Sequence, residues 1–466
     1  MVRLALLVLS LALAPTLPAQ TGIPAVDSAQ VARDLWRAAV RAFQSGDKAT
    51  ALARAVRAVH AWPVQPAYWS GAAKLAAAAN DTAVLGDALA GLTRLTAGAS
   101  LLADRDVMAL SSPTAIDELR RATADVAASR VTATLADSTI YAEGVDADPV
   151  SGTLYVASVR HRTVYEVTRA GAVRDIGLGT AARMGAVLGV RVAPDRVHLW
   201  VTITGLARSA VYAPADSSIA ALLQVRRADG RVVRRFDVPA DPRGHVLGDL
   251  TIGPGGDVFV SDSRAPLLFR LRPGADTLER LTHPLFRSLQ GLAVTADGRT
   301  MILADYSHGL LRVDLASGAV ERIADAPGTT SVGVDGLVLV DGTVIGVQNG
   351  IEPARITRFV LSADGRQVTS AHRLDQRSAI ADEPTIGTVR DHAFVYVANS
   401  QWEKYEDDGR RRAGTRLSPT VLLEVPLPAA SAARQDAAGT ARKGTRSTAS
   451  VPPSARSRSV TPAFAP

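Results

Sequence analysis

The 466-residue chain contains no cysteine, four methionines and 5% aromatic residues. Without cysteine there can be no disulfide, iron–sulfur cluster, thiolate zinc site, thiol nucleophile or lipid-anchoring cysteine near the N-terminus. Any metal must rest on carboxylates, amides, carbonyls or the eight histidines. Also missing are a G-x-S-x-G elbow, an H-E-x-x-H pair, a P-loop and a complete G-x-G-x-x-G fingerprint. The first apolar run, Leu4–Ala14, is too short for a spanning helix, which needs about 20 residues. Preceded by Arg3 and followed by Pro15 and Ala19, it reads as a signal peptide over residues 1–19. That predicts a secreted or periplasmic protein with no transmembrane segment after cleavage.

The net charge is +7, which by itself suggests a nucleic-acid partner. Its location removes the suggestion. Residues 428–466 hold six Lys/Arg against Asp436, and Arg3 lies in the leader, so 7 − 5 − 1 leaves +1 on the remainder. No nucleic-acid partner is expected. The tail at 428–466 is rich in Ala, Ser, Arg, Pro and Thr, and is expected to be disordered because it cannot bury enough apolar surface.

What is present is a repeat. QGLAVTADGRTMILADYSHGLLRVDL, from Gln290 to Leu315, reads as three short strands joined by Asp-Gly and His-Gly turns, with SGAVERI as a fourth. Similar cassettes start at Glu143, Leu188, Gly248, Asp335 and Thr385, spaced 45, 60, 42, 45 and 50 residues apart with Gln290 included. A four-stranded unit recurring every 40–50 residues or so predicts a mainly β fold, a six-bladed β-propeller over residues 129–427. The last cassette lacks its outer strand. RVTATLA at 130–136 is expected to supply it and close the ring.

Residues 20–128 are Ala-rich with helical periodicity. Gly46-Asp47 recurs as Asn80-Asp81 after 34 residues, and small residues at 38, 39, 51, 55 and 58 allow close helix packing. This segment resembles the tetratricopeptide repeat, whose Gly-Asp turn, small packing positions and terminal proline match Gly46, Asp47, Ala51, Ala58 and Pro63. Two units fall short of a free-standing solenoid, so a small helical cap packed on the propeller is favoured over a groove for a protein partner.

Strand reversal places the cassette starts at one channel mouth, with Asp262, Asp305, Asn349 and Asn399 at the ends of the second strands on the same face. The connections at 204–219 and 400–418 are lid candidates, with Trp402 and Tyr405 able to stack on a ligand. Glu143 and Asp335 would repel across a narrow channel, which a hard divalent cation would relieve.

On these residues the propeller resembles the SMP-30/gluconolactonase/LRE family. The resemblance implies a divalent metal (calcium, zinc or manganese) held by Glu143 of EGVDADP, Gln290 of QGLAVTADG and Asp335 of DGLVLVDG. It implies metal-assisted hydrolysis of lactones or esters, with Asp335 as general base. For the substrate side it leaves Asp249 at the start of blade three and makes His245 a candidate second proton carrier or substrate contact, beside Trp402 of the lid. The chain departs from the family pattern at Gln290, where Asn is usual, and at Gly248-Asp249, where Asn-Asp is usual. Val246 stands where a basic residue is often found. These departures keep a second reading open, a non-catalytic propeller that binds an envelope protein or glycan.

Overall fold

The computed structural model describes residues 27–376 and 380–428. The expected leader at 1–19, and residues 429–466 of the expected tail, lie outside them. Six antiparallel sheets follow one another along the chain: five have four strands, and the fifth blade adds a short parallel strand, Ala324–Asp325. The inner strands are Ala142–Ala147, Ala186–Val192, Leu247–Ile252, Leu289–Val294, Val334–Val340 and Gly387–Arg390. Arg130–Leu135 pairs with Thr420–Pro426 as the outer strand of the sixth sheet, so the ring closes as the sequence predicts.

Neighbouring inner strands approach very closely, and glycine permits it. A Cβ on Gly144 would stand 2.4 Å from the Leu188 carbonyl oxygen. On Gly291 it would stand 2.5 Å from that of Asp335, and on Gly336 2.6 Å from the Ile386 Cα. Any larger residue would push two blades apart. Apolar side chains fill the spaces between blades, as with Val145, Val156 and Val395 between blades one and six.

Among the described residues six α-helices precede the ring: α1 Ser28–Gln44, α2 Lys48–Ala61, α3 Pro66–Ala78, α4 Thr82–Leu95, α5 Arg105–Leu110 and α6 Pro113–Ala122. None among the described residues is long and apolar enough to cross a membrane. The 34-residue echo has a local cause. Gly46 (φ 85°) and Asn80 (φ 55°) turn the chain in the left-handed region, and Asp47 and Asp81 then cap the next helix through Thr50 N and Val84 N, each at 3.0 Å. The helices do not stand alone. Val332 of the propeller belongs to their core, the Gly98 N–H donates to the Glu352 carbonyl at 2.7 Å, and buried Arg355 donates to the Leu95 and Thr96 carbonyls at the end of α4.

His308 sits in that seam, 1% exposed, in contact with the Arg33 guanidinium and edge-on to Trp62. Burial, assisted by the charges of Arg322 and Arg33, pushes its pKa down to about 4. An unfolded imidazole titrates near 6.5, so the unfolded chain binds more protons between the two values. The contribution is therefore complete above pH 6.5 or so and is lost as pH falls towards about 4. Acidification from pH 7 to 5 is expected to cost about 2 kcal/mol through this group. Thermal melts of the parent and His308→Gln across that range check it. Equal losses in both would assign the acid sensitivity elsewhere.

Candidate functional site

The register of the inner strand jumps at the same place in five blades: between Ala142 and Val145, Val187 and Val190, Leu247 and Leu250, Leu289 and Leu292, and Val334 and Leu337. Such a bulge re-aims a side chain. The first residue inside each bulge is Glu143, Leu188, Gly248, Gln290 and Asp335, and all five line one cavity of about 260 Å³ at the channel mouth. Thr385, the expected start of blade six, lines a larger adjoining cleft of about 850 Å³.

The second strands require a correction. Asp262 and Asp305 are register-equivalent to Gln348, not to Asn349. Asp262 and Asp305 turn away from the axis and accept backbone N–H groups of their own loops, from Val246 at 3.0 Å and Arg287 at 2.7 Å. The next residue on each blade, Ser263, Tyr306 and Asn349, faces the cavity. Side chains alternate at the strand end, so a slip of one residue exchanges loop-capping groups for cavity-lining ones.

Asp335 is 9% exposed, and its Oδ2 accepts from Asn349 Nδ2 at 2.7 Å. Asn349 Nδ2 also donates to the Pro384 carbonyl at 2.8 Å, while its buried Oδ1 has no partner. Glu143 is 7% exposed, and its Oε2 accepts from Ser400 Oγ at 2.9 Å and Trp402 Nε1 at 2.5 Å. Glu143 Oε1 and Asp335 Oδ1 accept no hydrogen bond among the described residues. Burial raises both carboxyl pKa values. The Asp335 charge adds to the rise at Glu143, and the Asp249 charge to that at Asp335. Gln290 compensates for the missing side chain at Gly248: its Oε1 lies 3.5 Å from where a Gly248 Cβ would stand.

Trp402 opens a short 3-10 turn, Trp402–Lys404, on the connection into the last strand. It packs edge-on to Tyr141 at 5.1 Å, under the Arg208 guanidinium at 4.8 Å. Tyr405 is buried, stacked on Tyr141 at 5.0 Å, so only Trp402 of the two expected aromatics lines the mouth. The two long connections interlock: a Cβ on Gly409 would meet the Ala207 carbonyl oxygen at 2.0 Å.

His245 and Asp249 stand outside the lining. His245 is buried between Asp262 Oδ2 at 2.5 Å and the Pro239 carbonyl at 2.9 Å, and its bond to Asp262 raises its pKa. Asp249, 1% exposed, pairs with Arg191 at 3.0 Å inside the channel. Val246 reaches the cavity instead. Tyr306, Ser400 and Glu383 went unread in the sequence. Tyr306 was reachable, since it follows Asp305 as Asn349 follows Gln348. Ser400 and Glu383 belong to the irregular flanks of blade six and carry no repeat signal.

Among the described residues no three His, Asp or Glu side chains gather as a metal cluster. The donor set is of another kind: two buried carboxylates with a free oxygen each, the Gln290 amide, and the orphaned Asn349 Oδ1. Hard cations take such mixed carboxylate and amide oxygens, and an electropositive guest would satisfy them. The residues fit a divalent ion.

No family model matches the chain, and no curated protein matches it. Three solved structures illustrate its structural likenesses. A streptogramin B lyase is 13% identical, with 64% of this chain and 97% of that one covered and a TM-score of 0.44. A gluconolactonase from Xanthomonas campestris is 17% identical, with 63% and 89% covered and a TM-score of 0.43. The calcium-binding protein regucalcin from Agrobacterium tumefaciens is 17% identical, with 64% and 96% covered and a TM-score of 0.43. At such identities neither substrate nor metal passes from those proteins to this one. By its own coordinates the chain is a six-bladed propeller whose mouth face carries a helical domain and an acidic, partly roofed cavity.

Proposed function

We propose that the protein is a divalent-cation-dependent hydrolase of lactones or esters, working at the channel mouth and outside the cytoplasm. The observation that carries this is the pair of buried carboxylates, Glu143 and Asp335, each with an unused oxygen beside the orphaned Asn349 Oδ1. Glu143, Asp335, Gln290 and Asn349 would hold the ion. When bound, it supplies Lewis-acid polarisation of a carbonyl. The chain's own groups do the rest. Trp402 and Ser400 fix the Glu143 carboxylate through Oε2, and Asn349 fixes Asp335 through Oδ2. Asp335, as a neighbour of the attacking water as well as a ligand, would take its proton. Trp402 and Tyr306 wall the cavity beside these groups. The extracytoplasmic site of action rests on the leader at residues 1–19.

The test is metal content and turnover together. Purified protein is expected to hold about one calcium, zinc or manganese ion per chain and to open simple lactones or aryl esters. Chelation should stop turnover, and Glu143→Ala should lose the ion. Because both carboxyl pKa values are raised, protons compete for the same oxygens, so cation affinity should climb with pH through the neutral range, by up to about tenfold per unit. An affinity independent of pH would separate the ion from these carboxylates. A bound ion without hydrolysis of any ester or lactone would leave a binding propeller.

A further inference from the structure

We propose that the cleft beside the mouth binds a cationic group, so that the ligand carries an ammonium or guanidinium beyond the part held at the channel. Calling that ligand a substrate rests on the hydrolase reading above; the binding does not. The cleft, about 850 Å³, runs into the mouth cavity and shares Tyr306, Asp335, Asn349 and Trp402 with it. Its described lining holds five carboxylates, Asp335, Glu352, Asp382, Glu383 and Glu403, and no lysine, arginine or histidine. Lys404 neutralises Asp382 at 3.1 Å. The other four form no ion pair among the described residues.

The hydrogen-bonding vacancies carry the same sign. When no ion is bound, Asn349 Oδ1 and Asp335 Oδ1, where the cleft meets the mouth, are acceptors awaiting a donor. Partly buried Glu383 accepts the Glu403 N–H at its Oε2 over a long 3.4 Å, with the Trp402 backbone N–H also directed to its carboxylate. An anionic guest would add a further negative charge, whereas an ammonium brings donors to acceptors. Trp402 and Tyr306 add ring faces that attract cations. Arg208 occupies one face of Trp402 and is itself paired with Asp407 at 2.7 Å, in a separate cavity on the far side of that ring. The helical domain contributes only small, uncharged residues, Ala99, Ser100 and Ala103, which shape the cleft without changing its charge.

Calorimetry of the full chain with cadaverine and with glutarate, a chain-length-matched dication and dianion, tests this with and without added calcium. Cadaverine is expected to bind at least about tenfold more tightly, to weaken with salt, and to lose about tenfold in the Glu383→Gln, Glu403→Gln double variant. Glutarate binding as well as cadaverine, or a double variant that binds cadaverine unchanged, overturns the proposal. A parallel turnover assay compares α-amino-γ-butyrolactone with γ-butyrolactone-γ-carboxylate, and the amino lactone should be preferred. Cadaverine binding without hydrolysis of any lactone or ester would uphold the cation site and remove the hydrolase. Lactone opening indifferent to charge, without cadaverine binding, would do the reverse.

Discussion

Asp335→Asn is expected to lower kcat/KM by at least about a thousandfold, some 4 kcal/mol of transition-state stabilisation, while leaving the fold intact. The substitution keeps the shape and still offers Asn349 an oxygen, so the 2.7 Å bond can persist. What disappears is the negative charge, and with it a cation ligand and the proposed acceptor of the water's proton. The uncharged variant should melt at or above the parent temperature when no cation is present. Burying an ionised carboxylate beside Glu143 is costly, and the amide removes that cost. Kinetics and melting run together therefore separate chemistry from folding. Activity within about tenfold of the parent would take Asp335 out of the reaction.

A chain that starts at Asp137 should melt about 10 °C lower than one that starts at Ser129, or aggregate, because it has lost the strand that closes the ring. Arg130–Leu135 covers the edge of Thr420–Pro426, buries Leu135, and pairs Arg130 with Glu424 at 2.7 Å. Those ladder bonds and that apolar burial together contribute on the order of 5 kcal/mol. Without them blade six presents an open edge to other molecules. A chain starting at Ser129 retains the closing strand and should stay monomeric and melt above the shorter one. Light scattering and calorimetry on both chains decide it. Equal melting would mean that the ring does not depend on its clasp.

The architecture is written in the repeat. Turn residues and alternating apolar strands recur every 42 to 60 residues, and that recurrence alone calls for blades, a ring and a closing strand taken from before the first cassette. The same logic fixed which residue of each blade reaches the mouth, because five copies of one bulge aim five equivalent positions alike. The tandem Asp caps of the helical region were equally legible, being local chemistry.

Other features depended on contacts between residues far apart in the chain. No spacing announces that Trp402 holds Glu143, that Asp249 spends its charge on Arg191, or that His245 is tied to Asp262 away from the cavity. The slip at the second strands, where Asn349 stood in for Gln348, shows the limit of pattern reading: a strand end defined by turn residues is uncertain by one position, and one position reverses the face. The amino-acid order thus determined the ring and the list of side chains offered to its mouth. Packing between blades, connections and helices decided which of them keep a free oxygen, since burial and hydrogen bonding are properties of neighbours that only the closed ring brings together.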